Sequence, residues 1–248
     1  MKILLAGESW TTVSTHIKGF DTFTTSVYEE GCTEFLNAIH REGIEYDFIP
    51  NHLAATKFPN TLEEMNKYDV IVLSDIGANT LLLPPSVFNS QQKHPNRLNA
   101  IAEWVKQGGS FLMVGGYLSF QGIEAKAQYH RTAIENILPV ELLEGDDRVE
   151  APQGMIPHVE DPSFFSKIDA QWPSILGYQV LVAKKNTKTI LTIGEQKHPL
   201  LVVGEIGKGR SAAFATDMGP HWLSKEFMDW QGYSKLWLGI LSWLVRRK

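Results

Sequence analysis

The sequence predicts an α/β fold, a doubly wound and mostly parallel sheet to which antiparallel hairpins are added. The first observation is that apolar strand-like runs alternate with helix-like runs through the first 120 residues. This order requires right-handed crossovers between parallel strands. The second observation is that short strand-like runs separated by turn residues follow later, a pattern typical of hairpins. One hydrophobic core can still serve 248 residues, so a single domain over residues 1–248 is expected.

The first half begins with an unbroken apolar strand, Lys2–Gly7, of the kind that is buried on both faces of a parallel sheet. Residues 10–28 are rich in Thr and Ser and are predicted to form a long loop. A helix follows over residues 29–41, with apolar side chains on one face and Gly43 as its stop. The pattern then predicts, in chain order, a strand at 45–50, a helix at 62–68, a strand at 69–75, a helix over Arg97–Gln107 and a strand from Ser110.

Two hairpins and a closing helix are predicted in the second half. The hairpins, given by their paired segments, are 177–183 with 189–194 and 199–206 with 210–216. Apolar residues at helical spacing from Tyr233 to Leu244 predict a C-terminal helix that packs on the sheet. Residues 144–175 contain prolines and acids and are predicted to be the least structured segment.

The composition predicts a cytoplasmic protein. A formal net charge of −5 gives no basis for nucleic-acid binding, because phosphate recognition needs a dense basic face. No segment is apolar enough to span a membrane, and the apolar start at residues 3–6 is too short for a signal peptide. The single cysteine, Cys32, excludes internal disulfides and fits a reducing compartment. It is predicted to be a buried small hydrophobe rather than a nucleophile.

Polar residues follow several of the predicted parallel strands. In open α/β sheets, ligands bind outside the carboxyl ends of the strands. That rule selects seven candidate site residues, which are Glu8, Ser9, Asp75, Tyr117, Ser119, Asp217 and His221. We expect these side chains to converge at one edge of the sheet.

The segment Gly115-Gly116-Tyr117-Leu118-Ser119 follows an apolar strand and resembles the strand–elbow–helix of the class I glutamine amidotransferase-like superfamily. This resemblance implies a flavodoxin-like sheet. Active members carry a cysteine nucleophile in a Gly-x-Cys-x-Gly elbow, where this chain has Tyr117 and, in place of the second glycine, Ser119. They also carry a His-x-Glu after a later strand, which His221 matches loosely because Leu223 stands where the glutamate would be. The resemblance therefore implies the fold without Cys-dependent glutaminase activity.

Two further likenesses extend this resemblance along the chain. Residues 204–214, with Gly207-Lys208-Gly209-Arg210, resemble a hairpin of trehalose-utilisation-type and galactosidase-trimerisation-type domains in the same superfamily. Gly7-Glu8-Ser9-Trp10, the elbow with Phe120-Gln121-Gly122, and Pro220-His221-Trp222 are similar to a bacterial family of amidotransferase-like cytoplasmic proteins. That likeness covers nearly the whole chain and brings no established reaction with it.

Three candidate residues have two interpretations each. His221 can serve as general acid/base or metal ligand, or it can pack beside Pro220 and Trp222. Tyr117 can face a ligand as a hydrogen-bond donor or general acid, or it can fill the former nucleophile pocket as an aromatic plug. A phenol titrates near 10, so it replaces a thiolate poorly. Asp217 either orients His221 or begins a turn.

The remaining candidates are weaker. Ser9 lies in a near miss to the Gly-x-Ser-x-Gly elbow, and Ser119 is a second candidate hydroxyl nucleophile. Glu8 either binds a cation or substrate hydroxyl or is a solvated loop carboxylate. Asp75 is a helix cap unless it lies beside Glu8, and Gly116 is expected to line the ligand site. No spaced metal-binding signature exists, so neither a metal nor another cofactor is predicted.

Two classes of function fit these residues. The first is a non-amidotransferase member that binds or processes a small polar metabolite, with a hydrolase-type reaction if it is an enzyme. The second is a structural or oligomerisation module with a vestigial pocket. Loop aromatic residues could form the wall of a small-molecule site or close the core, and they are Trp10, Phe20, Phe23 and Trp222. The predicted partner is a small molecule, not nucleic acid or a membrane, and the sequence leaves homo-oligomerisation open.

Overall fold

Strands dominate the computed structural model, which describes residues 1–165, 168 and 171–246. In this described part, the strands are β1 (Lys2–Gly7), β2 (Ser9–Lys18), β3 (Asp21–Glu30), β4 (Glu45–Ile49), β5 (Val70–Ser74), β6 (Ser110–Val114), β7 (Val140–Glu141), β8 (Arg148–Met155), β9 (His158–Val159), β10 (Ile175–Gln179), β11 (Val182–Ala183), β12 (Lys188–Ile193), β13 (His198–Ile206) and β14 (Gly209–Phe214).

Helices connect the strands of the first half and close the C-terminal end. They are α1 (Thr33–Arg41), α2 (Asn51–Lys57), α3 (Leu62–Met65), α4 (Ala78–Leu82), α5 (Pro85–Phe88), α6 (Arg97–Gln107), α7 (Ala133–Ile137), α8 (Lys225–Asp229) and α9 (Gly232–Leu244). Two short 3₁₀ turns lie at Ile123–Ala125 and Pro162–Phe164. Among the helices described, none is long and apolar enough to cross a lipid bilayer.

An eight-stranded sheet lies at the centre, in the order β4-β1-β5-β6-β14-β13-β12-β9. The first five strands pair in parallel, and the last four, from β14 to β9, pair in antiparallel fashion. The central strands β5 and β6 are buried along their whole length, as continuous apolar runs predict. The α/β fold with a doubly wound, mostly parallel sheet is therefore confirmed.

Large aromatic side chains join the C-terminal helix to the sheet. The ring of Trp237 in α9 lies 5.0 Å from the ring of Phe35 in α1 and 5.3 Å from that of Phe214 in β14. Leu236, Ile240 and the other apolar residues of α9 that the spacing selected are buried. The predicted packing of this helix on the sheet is confirmed, and it holds β14 in place beside β6.

A long hairpin replaces the loop predicted for residues 10–28. Strands β2 and β3 pair from Ser9 with Glu30 to Lys18 with Asp21, and residues 11–30 are all exposed. Alternating β-branched residues favour extended strands, which explains why a Thr-rich segment does not form a loop. The following helix begins at Thr33 rather than at residue 29, because the preceding residues belong to β3. We call residues 9–30 the arm.

In the second half, the structure confirms one predicted hairpin and contradicts the other. Strands β13 and β14 form the hairpin predicted for residues 199–206 and 210–216. The predicted pairing of residues 177–183 with 189–194 is wrong. Instead, β10 pairs with β8, β11 pairs with β7, and β12 pairs with β13 and β9. The segment predicted to be least structured contains β8 and β9, while residues 166, 167, 169 and 170 of it lie outside the described part.

Cys32 immediately precedes α1 and is fully buried, as the sequence predicts. Burial raises the pKa of its thiol to about 12, and the charges of Glu8 and Glu30 add to this effect. Because the thiolate is the reactive form, a thiol reagent is expected to leave the native protein unlabelled at pH 8 and to label it after denaturation. A Thr15→Cys variant, exposed on the arm, is the positive control; labelling of native Cys32 at a similar rate would contradict this placement.

Candidate functional site

The carboxyl ends of β1, β5, β6 and β14 meet at one edge of the sheet. The strand order reverses between β1 and β5, which makes this point the topological switch where ligands bind in open α/β sheets. Glu8 follows β1 directly and Asp75 follows β5 directly. Tyr117 lies three residues after β6, and Asp217 lies three residues after β14. The topology thus brings together the candidates that the strand-end rule selected.

Glu8 is held rigidly at this switch point. Its side chain is only 1% exposed, and its backbone has a φ of 49°. The Glu8 amide donates to the Ser74 carbonyl at 2.8 Å, and the Glu8 carbonyl accepts from the Gly31 amide at 3.0 Å. The hydroxyl of Ser74 donates to Oε2 of Glu8. Glu8 is therefore not the solvated loop carboxylate that one interpretation of the sequence allowed.

Asp217 is buried against Glu8. It is 2% exposed, and its Oδ1 accepts from the Met218 amide at 2.8 Å. Burial raises the pKa of Glu8 to about 8, with a further contribution from the charge of Asp75, while a side-chain hydrogen bond with Asp217 opposes the rise. Burial followed by the charge of Glu8 raises the pKa of Asp217 well above its ordinary range. Two buried carboxyl groups in contact cannot both ionise easily, so this pair retains a proton at neutral pH.

Asp75 lies beside this pair and connects it to the elbow. Its Oδ1 accepts from the Leu118 amide at 2.6 Å, and its own amide donates to the Ser119 hydroxyl at 3.0 Å. Burial raises its pKa, while the Leu118 amide and the charge of His221 act in the opposite direction. Asp75 does not cap a helix, because Gly77 precedes α4 and no side chain caps it.

The elbow after β6 is built around Gly116 rather than Tyr117. Gly116 has a φ of +139°, and a Cβ atom there would lie 3.0 Å from Asp75 Oδ1. The Gln179 side chain donates to the carbonyls of Gly116 and Ser119, at 2.8 Å each. No α-helix follows the elbow directly, in contrast to the expected strand–elbow–helix, since the next element is the 3₁₀ turn at Ile123–Ala125. The Ser119 side chain is buried and occupied in holding Asp75.

Aromatic side chains lie together at the same edge. The His221 ring lies 4.8 Å from the Trp10 ring and 5.8 Å from the Tyr117 ring. The Trp222 ring meets the Tyr117 ring edge-on at 5.6 Å. His221 is exposed, Trp10 and Tyr117 are half-buried and Trp222 is buried. We call these four residues the aromatic layer. Phe20 and Phe23 are not part of this layer, since they lie farther out on the arm than Trp10 does.

Charged residues of β8 surround Tyr117. The Arg148 guanidinium lies 5.4 Å from the centre of the Tyr117 ring, and Glu150 accepts from the Trp222 indole at 3.0 Å. Burial and the charge of Glu150 raise the pKa of Tyr117, while Arg148 acts against them. The phenol is therefore protonated at neutral pH, and its hydrogen-bond partner within the protein is Glu150.

Some residues that shape the site are not predicted by the sequence pattern. Arg148, Glu150 and Gln179 lie in strands that the pattern did not predict correctly, so no signal marked them. Asn51 was also missed, although it follows the strand β4. Its amide side chain donates to the carbonyls of Ser9 and Asp75, and its backbone amide donates to the Ser9 hydroxyl at 2.8 Å. Ser9 is thereby buried and fixed beside Glu8.

The described residues include no group of three or more histidine, cysteine or acidic side chains arranged to hold a metal ion. Glu8, Asp75 and Asp217 are near one another, and a hydrogen-bond donor of the chain itself occupies one oxygen of each. What this edge offers to an incoming molecule is the aromatic layer, with the buried carboxyl groups close to it.

Comparison with known proteins agrees with this architecture. Residues 2–246 match the GATase1_like family model, described as "Putative glutamine amidotransferase". The chain is 44% identical to Cytoplasmic Protein STM3548 from Salmonella typhimurium, with a TM-score of 0.94 over 98% of this chain and 99% of that one. It is 43% identical to Cytoplasmic Protein STM1381 from Salmonella typhimurium LT2, with a TM-score of 0.93 over the same shares. The predicted cytoplasmic location agrees with both descriptions.

More distantly similar structures share only the fold with this chain. A cold-adapted beta-galactosidase from Rahnella sp. R3 is 13% identical, with a TM-score of 0.53 over 85% of this chain and 26% of that one. No curated protein sequence matches the chain. The family match spans nearly all residues, and both Salmonella structures superpose over 99% of their length. The chain therefore belongs to the GATase1_like family of glutamine amidotransferase-like proteins.

Proposed function

We propose that this protein binds a small polar metabolite at the carboxyl edge of its sheet and has no glutaminase activity. The observation that carries the proposal is the aromatic layer over a proton-retaining carboxyl pair, at the elbow where active amidotransferases hold a cysteine. Tyr117 takes that position, and Cys32 is buried with a raised thiol pKa. Neither residue supplies a thiolate for attack on an amide.

The side chains of the layer suit a carbohydrate-related ligand. Flat aromatic faces pack against the apolar face of a sugar ring, while nearby polar groups orient its hydroxyls. Tyr117 can donate a hydrogen bond, and the exposed His221 can donate or accept one. Glu8 and Asp75 are the candidate acceptors for ligand hydroxyls, and Ser9 and Gly116 line the same edge of the sheet. With these roles, the protein selects its ligand by the shape of the ligand's ring and by the arrangement of the ligand's hydroxyl groups.

The reaction that these groups support is of the hydrolase type. The imidazole of His221 can accept a proton from an attacking water, and Tyr117 can return a proton to a leaving group. Asp217 acts indirectly, because it holds a proton with Glu8 beneath the layer. Ser119 is buried and bonded to the Asp75 amide, so we assign it to positioning rather than to attack.

Glutamine hydrolysis is expected to be absent. The purified protein should release no glutamate from glutamine above the rate of a heat-denatured sample, because it has no nucleophile at the elbow. Tyr117→Phe and His221→Ala variants should give the same background. Glutamate release that falls in either variant would overturn the proposal.

A second candidate function is an oligomerisation module without a working pocket, and the exposed arm is the observation that favours it. The two candidates differ in ligand binding. A metabolite site predicts that some sugars, amides or nucleotides raise the unfolding temperature, and that His221→Ala abolishes the effect. The module predicts that no compound does so.

A further inference from the structure

Beyond its base, where Ser9 contacts Asn51 and the Tyr28 ring meets that of His52, the arm projects from the protein. Its two strands have ten residues each, and residues 11–30 are all exposed. Large apolar side chains point into solvent there, with Ile17 73% exposed, Val13 64% exposed and Phe20 fully exposed at the turn. A two-stranded hairpin alone is marginally stable in water. An arm of this length therefore needs another surface to cover it.

The two faces of the arm differ in charge. Side chains alternate between the faces, and the pairing places Val13, Ile17 and Tyr28 on one of them. From Thr11 and Tyr28 outward that face carries no charged side chain, and we call this stretch the uncharged face; Glu30 lies at its base. The opposite face carries Lys18, Asp21 and Glu29. An exposed apolar surface marks a site of interaction. Val13 and Ile17 form such a surface on the uncharged face, which marks it as the face that is covered.

We propose that the covering surface is a second copy of this chain, and that two copies exchange arms across a two-fold axis. Each chain carries a net charge of −5, so two copies meet with the least repulsion through surface that carries no charge. The uncharged face of the arm supplies it. Two-fold symmetry is also the commonest arrangement of identical chains.

The area of the arm favours exchange over a one-sided contact. At about 3.3 Å per residue and about 4.8 Å per strand, one face of the arm measures roughly 33 by 10 Å. One arm on a different partner would bury about 660 Å² in total, which is less than stable interfaces need. Two exchanged arms bury four such surfaces, or about 1,300 Å², within the range of specific dimers. Reciprocal docking therefore covers the arm and supplies enough area.

Sedimentation velocity and light scattering on the full chain test this proposal. The native protein is expected to be a dimer or a larger symmetric assembly at micromolar concentration. A Val13→Glu/Ile17→Glu variant places two carboxylates on the uncharged face, and it is expected to weaken self-association at least a hundredfold. A Ser14→Glu/Thr25→Glu variant is the matched control, because it adds the same charge to the opposite face of the same arm. It should assemble as the native protein does.

A variant with a shortened arm distinguishes loss of the interface from local unfolding of the arm caused by the introduced charges. Thr12 pairs directly with Val27, so an Asn-Gly turn that joins them removes the outer arm and keeps its base. This variant should be a folded monomer with native circular dichroism. A native protein that is monomeric at high concentration would overturn the proposal, and so would an assembly that survives shortening of the arm.

Discussion

The Glu8→Gln variant is expected to be more stable than the native protein at pH 8, by a few kcal/mol. Glutamine reproduces the shape of a protonated Glu8 and can still accept the hydrogen bond of Ser74. It removes the cost of keeping a buried carboxyl group protonated at a pH where the unfolded chain has lost that proton. Each unit of pKa shift corresponds to about 1.4 kcal/mol, and the pKa of Glu8 is raised from 4.5 to about 8.

The pH dependence of this effect has a definite sign. Between pH 4.5 and about 8, native Glu8 holds a proton that the unfolded chain releases, so the free energy of unfolding falls as the pH rises. The two proteins should therefore have similar stability near pH 4.5 and diverge toward pH 8. Urea denaturation across this range measures the difference. An exposed control, Glu195→Gln, should show no such divergence, and a pH-independent gap for Glu8→Gln would contradict the assigned burial.

The Gly219→Ala substitution is expected to destabilise the protein by about 3 kcal/mol, at the upper end of the usual cost of overpacking. A Cβ atom at residue 219 would lie 2.1 Å from the carbonyl oxygen of Gly31, which is a backbone atom. Gly31 in turn donates its amide to the Glu8 carbonyl. The loop with Asp217 and His221 must therefore move away from the base of the arm, and the aromatic layer loses its alignment.

The control for this substitution is Gly145→Ala. A Cβ atom there has no neighbour within 4 Å, so the same chemical change should leave the unfolding midpoint nearly unchanged. Urea denaturation of both variants separates crowding at Gly219 from a general effect of replacing glycine. Equal midpoints for the two variants would show that the Gly31 and Gly219 backbones do not touch in solution.

The parallel half of the fold could be predicted because its strands are buried on both faces. A continuous apolar run such as β5 predicts a buried parallel strand. The convergence of Glu8, Asp75 and Asp217 then follows from the order of those strands. The elbow could also be located, because two glycines follow a buried strand. The resemblance to the amidotransferase-like superfamily rests on these same segments, and the family match confirms it.

The rest could not be predicted because its pairing is not local. The arm consists of exposed Thr-rich strands, so no apolar pattern marked it. Strand β10 pairs with β8, more than twenty residues earlier, instead of with the neighbour that the turn between them suggested. Arg148, Glu150 and Gln179 reach the site through this pairing. The proton shared by Glu8 and Asp217 depends on burial, which a loop position in the sequence does not reveal.

The most direct test of the proposed site is the affinity of its ligand for two histidine variants. A thermal-shift screen of sugars, amides and nucleotides should find a compound that, at a hundred times its Kd, adds about 2.7 kcal/mol of stability. Isothermal titration of that compound should then give at least tenfold weaker binding to His221→Ala. His94→Ala, altered at a half-buried position in the loop before α6, should bind as the native protein does. Equal affinity for all three proteins, or no binder in the whole screen, would contradict a metabolite site at the aromatic layer.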